Sequence, residues 1–178
     1  MTTFDIVVAH DLNNAIGLNN QLLCHISEDM AYFKKLTSST KDTTKQNIVI
    51  LGRKTYDSIP EKFRPLPKRI NIVISSKNNN YPNTIHANSP ENALEIASDL
   101  QLKNKAETVF CIGGSQIYKS LIEHERCRYL YATLIHRAFK ADAFFPDYKD
   151  NFTQISTQKT TTKNNLEIEF IKYKKNIN

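Results

Sequence analysis

The chain reads as an α/β protein built on a central, largely parallel sheet, and three observations say so. Four compact apolar runs recur: Ile6-Val7-Val8-Ala9, Ile48-Val49-Ile50-Leu51, Ile72-Val73-Ile74 and Val109-Phe110-Cys111-Ile112. Unbroken runs of this length are expected of strands covered on both faces. Helical signals fall between them, over residues 27–36, 90–100 and 116–122, the second with Ser89 as N-cap and Pro90 in its first turn. Finally, residues 128–135, 152–157 and 166–173 have strand-like composition without helices between them. The last pair is expected to form an antiparallel hairpin at one edge. Asn78-Asn79-Asn80 and Thr160-Thr161-Thr162 are polar tracts, read as loops.

With 178 residues, 40% of them hydrophobic, the chain can bury one sizeable core. No repeat, linker or shift of composition divides it, so residues 1–178 are expected to form a single domain. The most hydrophobic run, residues 47–51, is far too short to span a membrane, and the N-terminus has no basic segment followed by an apolar signal region. A cytoplasmic enzyme or binding protein is expected. Cys24, Cys111 and Cys127 are odd in number and widely spaced, which argues for reduced thiols and against a disulfide framework or a metal site. The formal net charge of +6 favours anionic partners without choosing between nucleic acid and a phosphorylated or carboxylated small molecule.

Chemistry enters at three places. In Ser27-Glu28-Asp29-Met30-Ala31-Tyr32-Phe33-Lys34-Lys35-Leu36, a helical repeat puts Ile26, Met30, Phe33 and Leu36 on one face, with Asp29 inside that arc and Glu28 opposite. A carboxyl among apolar residues holds its proton nearer neutral pH, as a general acid must. The same position also suits an aspartate that merely favours the helix dipole. Only four glycines occur, and three of them follow apolar runs. Gly52-Arg53-Lys54-Thr55 pairs a strand end with two cations at a helix start, which fits a phosphate or a solvated basic turn. Ile112-Gly113-Gly114-Ser115-Gln116-Ile117-Tyr118 lacks the third glycine of a dinucleotide fingerprint. It fits either backbone approaching a ligand at the carboxyl end of a strand or a tight strand-helix turn. Further cations at Lys62, Arg64, Lys68, Arg69 and Lys77 make the middle of the chain basic.

Taken in order, these segments strongly resemble the dihydrofolate reductase family. The resemblance runs through Ala15-Ile16-Gly17-Leu18-Asn19-Asn20, the Asp29 helix, Gly52-Arg53-Lys54-Thr55-Tyr56-Asp57-Ser58-Ile59 and Arg64-Pro65-Leu66-Pro67-Lys68-Arg69. It continues through Ile74-Ser75-Ser76, the Gly113-Gly114 segment, Tyr131-Ala132-Thr133 and Ala141-Asp142-Ala143-Phe144-Phe145-Pro146, covering nearly the whole chain. It implies an eight-stranded, mostly parallel sheet with an antiparallel C-terminal edge strand, about four flanking helices, and an adenosine-binding subdomain at roughly 40–105. It also implies reduction of 7,8-dihydrofolate by NADPH, with hydride passing to the pterin C6 and a proton to N5.

Under that resemblance Asp29 matches the site's acidic residue, in the aspartate form typical of bacterial enzymes, and Thr133 the hydroxyl that buttresses it. Leu22 joins them as a catalytic-site residue. Val7, Val8, Phe33 and Ile112 match the pterin walls, Ile59 and Leu66 those around the aminobenzoyl group, and Arg69 the arginine for the tail carboxylate, a task suited to guanidinium. Ala9, Ile16 and Asn20 match the nicotinamide side. Ile112, Gly113, Gly114, Ser115, Gln116, Ile117 and Tyr118 match the nicotinamide and pyrophosphate, and Gly52, Arg53, Lys54, Thr55, Ser75, Ser76 and Lys77 the phosphates. In the family the Gly-Gly bond is cis.

Two departures stand out: Leu23-Cys24 where the family usually has Pro-Trp, and Ala141 where glycine is frequent before Asp142. The first falls in the segment from Gly17 to Cys24, which is expected to act as the lid, and the second in a loop expected to pack against it, so altered turnover or antifolate response is expected. A catalytically weakened NADPH-binding paralogue is one alternative. A pyrimidine reductase of riboflavin synthesis is disfavoured by Asp29 and Arg69, and a nucleic-acid-binding protein by cations clustered at ligand loops rather than interleaved with aromatics. A monomer binding dihydrofolate and antifolates, with no nucleic-acid or membrane partner, is expected.

Overall fold

The apolar runs become neighbouring strands of one sheet. The computed structural model describes residues 2–176. In chain order they form β1 (Phe4–Asp11), β2 (Ala15–Leu18), β3 (Gln21–Leu22), α1 (Ser27–Ser38), β4 (Gln46–Gly52), α2 (Arg53–Ser58) and a 3-10 turn (Glu61–Phe63). There follow β5 (Arg69–Ile74), β6 (Ile85–Ala87), α3 (Pro90–Leu102), β7 (Ala106–Cys111), α4 (Ser115–Leu121), β8 (Cys127–Ile135), β9 (Ala143–Phe144), β10 (Phe152–Thr161) and β11 (Glu167–Lys175).

The main sheet has eight strands in the order β10-β11-β8-β1-β7-β4-β5-β6. Every pairing from β8 to β6 is parallel, and β11 alone runs against both its neighbours, β8 and β10. This is the predicted α/β architecture with its antiparallel C-terminal hairpin. A small sheet, β3-β2-β9, lies beside it.

Alternation along the strands divides the core between the two faces. Phe4, Ile6 and Val8 of β1 join Ile48, Ile50, Ile72, Val109, Leu94 and Leu121 in the main cluster. Val7 points the other way, to Val49 and Phe110, with Phe33 and Leu36 of α1 packed on them. Ser89 caps α3 as expected, its hydroxyl accepting from the Asn92 N–H at 3.1 Å.

One expectation changes. Thr160 and Thr161 continue β10, paired with Ile168 and Glu167, because β-branched side chains fit a strand. The turn starts only at Thr162, whose hydroxyl accepts from the Leu166 N–H at 3.1 Å. The short strands β2, β3, β6 and β9 had no apolar run to announce them.

Left-handed turns are made with asparagine. Among the described residues, seven of the eight non-glycine residues with positive φ are Asn, the eighth being Lys68. Among glycines only Gly113, at φ 112°, has positive φ. Glycine is thereby left for places where backbone must come close.

Candidate active site

Parallel strands end together, so β1, β4, β5 and β7 deliver their carboxyl ends to one edge, the usual ligand edge of an α/β sheet. Two loops meet there. The Gly52 N–H donates to the Gly113 carbonyl at 2.7 Å, joining the exits of β4 and β7. The Gly113-Gly114 peptide is cis. A Cβ on Gly114 would stand 2.8 Å from Thr55 Oγ1, and one on Gly113 would meet the Tyr118 ring at 3.0 Å. The cradle thus requires two residues without side chains.

Tyr118 supports this cradle from below. Its hydroxyl donates to the Val7 carbonyl at 2.7 Å and its ring is buried. Its side chain is thereby held in the core, with the ring directly against Gly113. Ile117 lies against Gly52, and Gln116 is exposed on α4 behind half-buried Ser115. Arg53, Lys54, Ser76 and Lys77 are exposed beside the ends of β4 and β5. Arg53 is paired with Asp57 at 3.1 Å. Ser75 is buried, its hydroxyl accepting from Lys77 N and Asn79 Nδ2.

The acidic helix forms the opposite wall. Asp29 is only 8% exposed, on the face of α1 turned toward the sheet. Burial pushes its carboxyl above the ordinary value, opposed only by the nearby Thr133 hydroxyl. A recess of about 20 Å³, the scale of one water, is lined by Asp29, Ala9, Ile16, Leu22, Leu23 and Cys24, closed off by Ile26, Met30 and Ile135. Leu22 is nonetheless 59% exposed, on the rim. Met30 and Ile135 were not expected among the site residues; the signals in the sequence are that Met30 shares the apolar arc of Asp29 and that Ile135 lies two residues beyond Thr133, on the same side of its strand.

A hydrophobic cluster lies on the α1 face of the sheet. Val7, Phe33, Leu66 and Ile112 gather with Val49, Phe110, Leu36 and Tyr131, and Ile112 also touches the Ile59 group around Leu51, Tyr56 and Val73. Val8 does not take part: its side chain lies in the main core, because successive strand residues face opposite sides. Beside Phe33, Arg69 is 8% exposed and has no carboxylate within ion-pair distance among the described residues. Its Nε donates to the Pro67 carbonyl at 3.0 Å, its Nη1 to Thr37 Oγ1 at 2.8 Å, and its guanidinium lies 5.7 Å from the Phe33 ring centre. Burial works against its charge. A buried cation without a counter-charge is costly and suits an anionic ligand.

The segment from Gly17 to Cys24 folds over the mouth. Gly17 pairs with Ala143, the Asn19 N–H donates to Asp142 at 2.9 Å, and Asn20 Nδ2 donates to the Lys54 carbonyl at 3.0 Å. Asp11, fully buried, anchors its base by accepting from the N–H groups of Asn13, Ala15 and Phe139. Nothing local in the sequence signals that role. Elsewhere, His136, Glu167 and Glu169 bring ligand-type atoms within 4.8 Å of one another, but Glu169 is already paired with Lys159 at 2.8 Å and His136 at 3.0 Å. No helix among the described residues is long and apolar enough to cross a membrane.

Comparison with known proteins agrees with this geometry. The family model described as dihydrofolate reductase matches residues 3–175. The chain is 33% identical to a dihydrofolate reductase of Aedes albopictus over 176 residues, 97% of this chain and 95% of that protein. It is 37% identical to one of Drosophila melanogaster over 159 residues, covering 88% and 86%, and 41% identical to one of Bos taurus over 144 residues, covering 79% and 77%. Matched by that model over nearly its whole length and by relatives at 33% to 41% identity, the chain belongs to the dihydrofolate reductase family.

Proposed function

We propose that this chain, a monomer of the cytoplasm, reduces 7,8-dihydrofolate to 5,6,7,8-tetrahydrofolate with NADPH and so feeds one-carbon metabolism and thymidylate synthesis. The N5=C6 double bond takes a hydride at C6 and a proton at N5. The observation that carries the reading is Asp29: a desolvated carboxyl, partnered by Thr133, beside a water-sized recess. There it hydrogen-bonds the pterin's amino and ring N–H groups and promotes delivery of a proton through one water.

The chain's residues fit the cofactor. The glycine cradle would be filled by any Cβ at Gly114, and the cations beside it suit phosphates. Gly113, Gly114, Ser115 and Thr55 hold the pyrophosphate, Arg53, Lys54, Ser76 and Lys77 the 2′-phosphate, and Ala9, Ile16 and Asn20 the nicotinamide side, with residues 40–105 as the adenosine-binding part. Bound there, reduced nicotinamide supplies the hydride. Val7, Phe33 and Ile112 clamp the pterin, Ile59 and Leu66 the aminobenzoyl ring, and Arg69 the tail carboxylate. The lid excludes water.

Mixing protein, NADPH and dihydrofolate and following loss of reduced nicotinamide tests the reading. Turnover that falls at least tenfold with NADH supports it. Cofactor binding without turnover would instead favour the weakened paralogue. With Leu23-Cys24 in the lid, antifolates are expected to bind with altered affinity, checked by titrating trimethoprim against wild type and Cys24→Trp.

A further inference from the structure

The loop between the 3-10 turn and β5 carries both ends of the proposed tail subsite, Leu66 and Arg69, yet it has little regular structure of its own. A single buried side chain ties it together. Asn71, 2% exposed on β5, accepts from the Leu66 N–H at 2.8 Å and donates from Nδ2 to the carbonyls of Leu66 and Arg69, both at 2.9 Å. Its amide thereby uses its acceptor and both donors on backbone within five residues. The loop so closed contains Lys68 in the left-handed region at φ 60°, and Arg69 then folds back onto the Pro67 carbonyl.

Two supports therefore meet at Arg69. Thr37, fully buried on α1, fixes the tip of the side chain by accepting from Nη1 while donating to the Phe33 carbonyl at 2.8 Å. Asn71 fixes the backbone at the other end and, in the same amide, the wall residue Leu66. No other side chain among the described residues bonds to both Leu66 and Arg69 backbone. Asn71 lines neither the acid recess nor the glycine cradle.

We propose that Asn71 is a positioning residue for the substrate's tail: it holds the Leu66 wall and the Arg69 fork at the spacing a benzoyl-glutamate requires. This rests on the dihydrofolate reading above. Because Asn71 touches only the tail subsite, its effect separates by substrate. A backbone wall misplaced by about an ångström weakens whatever leans on it.

The test compares two substrates in wild type and Asn71→Ala: 7,8-dihydrofolate, and 6-methyl-7,8-dihydropterin, which has no tail. The expected result is an increase of about tenfold in KM for dihydrofolate with kcat within twofold, and an unchanged kcat/KM for the tail-less pterin. In an Arg69→Ala background the same substitution is expected to add less than threefold, since the subsite it positions is already lost. Equal losses on both substrates, or no change in KM for dihydrofolate, would overturn the assignment. Asn71→Ser, which keeps one donor and one acceptor, replaces Asn71→Ala should that variant fail to fold, with the same split required. A wild-type chain that turns over neither substrate overturns the functional reading itself; one that turns over both confines any failure to Asn71.

Discussion

Replacing Asp29 with asparagine should separate catalysis from stability. Asp29 is 8% exposed, its carboxyl is raised chiefly by burial, and Thr133 is its one hydrogen-bonding side chain. No cation offsets that desolvation, so the carboxyl keeps its proton to higher pH than an exposed aspartate does. Loss of a positioned proton donor costs about 10²–10⁴ in rate, or about 2.7–5.4 kcal/mol of barrier. In Asp29→Asn the amide keeps the shape and a hydrogen bond to Thr133, so kcat/KM should fall by that factor without unfolding. The stability effect has the opposite sign. A carboxyl whose folded pKa lies above its unfolded value contributes stability that is full at low pH and is lost as pH rises through the folded pKa. Asparagine has no such loss, so the variant's melting temperature should gain on wild type as pH is raised. Paired assays would follow nicotinamide loss from pH 5 to 9 and thermal melting from pH 3, below the ordinary carboxyl value, to pH 9. A variant within threefold of wild-type kcat/KM, or a melting difference independent of pH, would refute the reasoning.

Three further outcomes are expected. Arg69→Lys keeps the charge but loses the planar fork held by Pro67 and Thr37, so KM for dihydrofolate should rise about tenfold with kcat little changed in steady-state assays. Gly114→Ala places a Cβ 2.8 Å from Thr55 Oγ1; a loss of about 1–3 kcal/mol in urea unfolding and weaker NADPH binding by fluorescence titration should result. Burial pushes the Cys111 and Cys127 thiols up to about 12, whereas Cys24 is half-buried at the recess, so a disulfide reagent should label one thiol in the native protein and three after unfolding.

The central strands β1, β4, β5 and β7 were legible because each carries a continuous apolar run, and the acid helix because Asp29 interrupts an apolar face. The same continuity hid something: a run such as Val7-Val8 does not say which residue faces α1, and Val8 faces the opposite core. Strands of two to four residues such as β2, β3 and β9 depend on partners far along the chain, so no local pattern marks them. Thr37, Asn71 and Asp11 were invisible for a related reason. Each works by hydrogen bonds to groups whose position only the assembled fold defines. Glycine, by contrast, was informative because asparagine takes most of the left-handed turns.

The place of β1 has a consequence for how the chain must fold. It lies between β7 and β8 in the middle of the sheet, although about a hundred residues separate it from either in sequence. During synthesis at ~5–20 residues per second, Phe4, Ile6 and Val8 wait roughly 5–20 s before a neighbouring strand exists to cover them. Closing so long a loop in a mostly parallel sheet makes refolding slow and leaves an apolar strand exposed to wrong partners meanwhile. Chaperone demand and yield in the cell should therefore depend on this strand well before the active site is assembled.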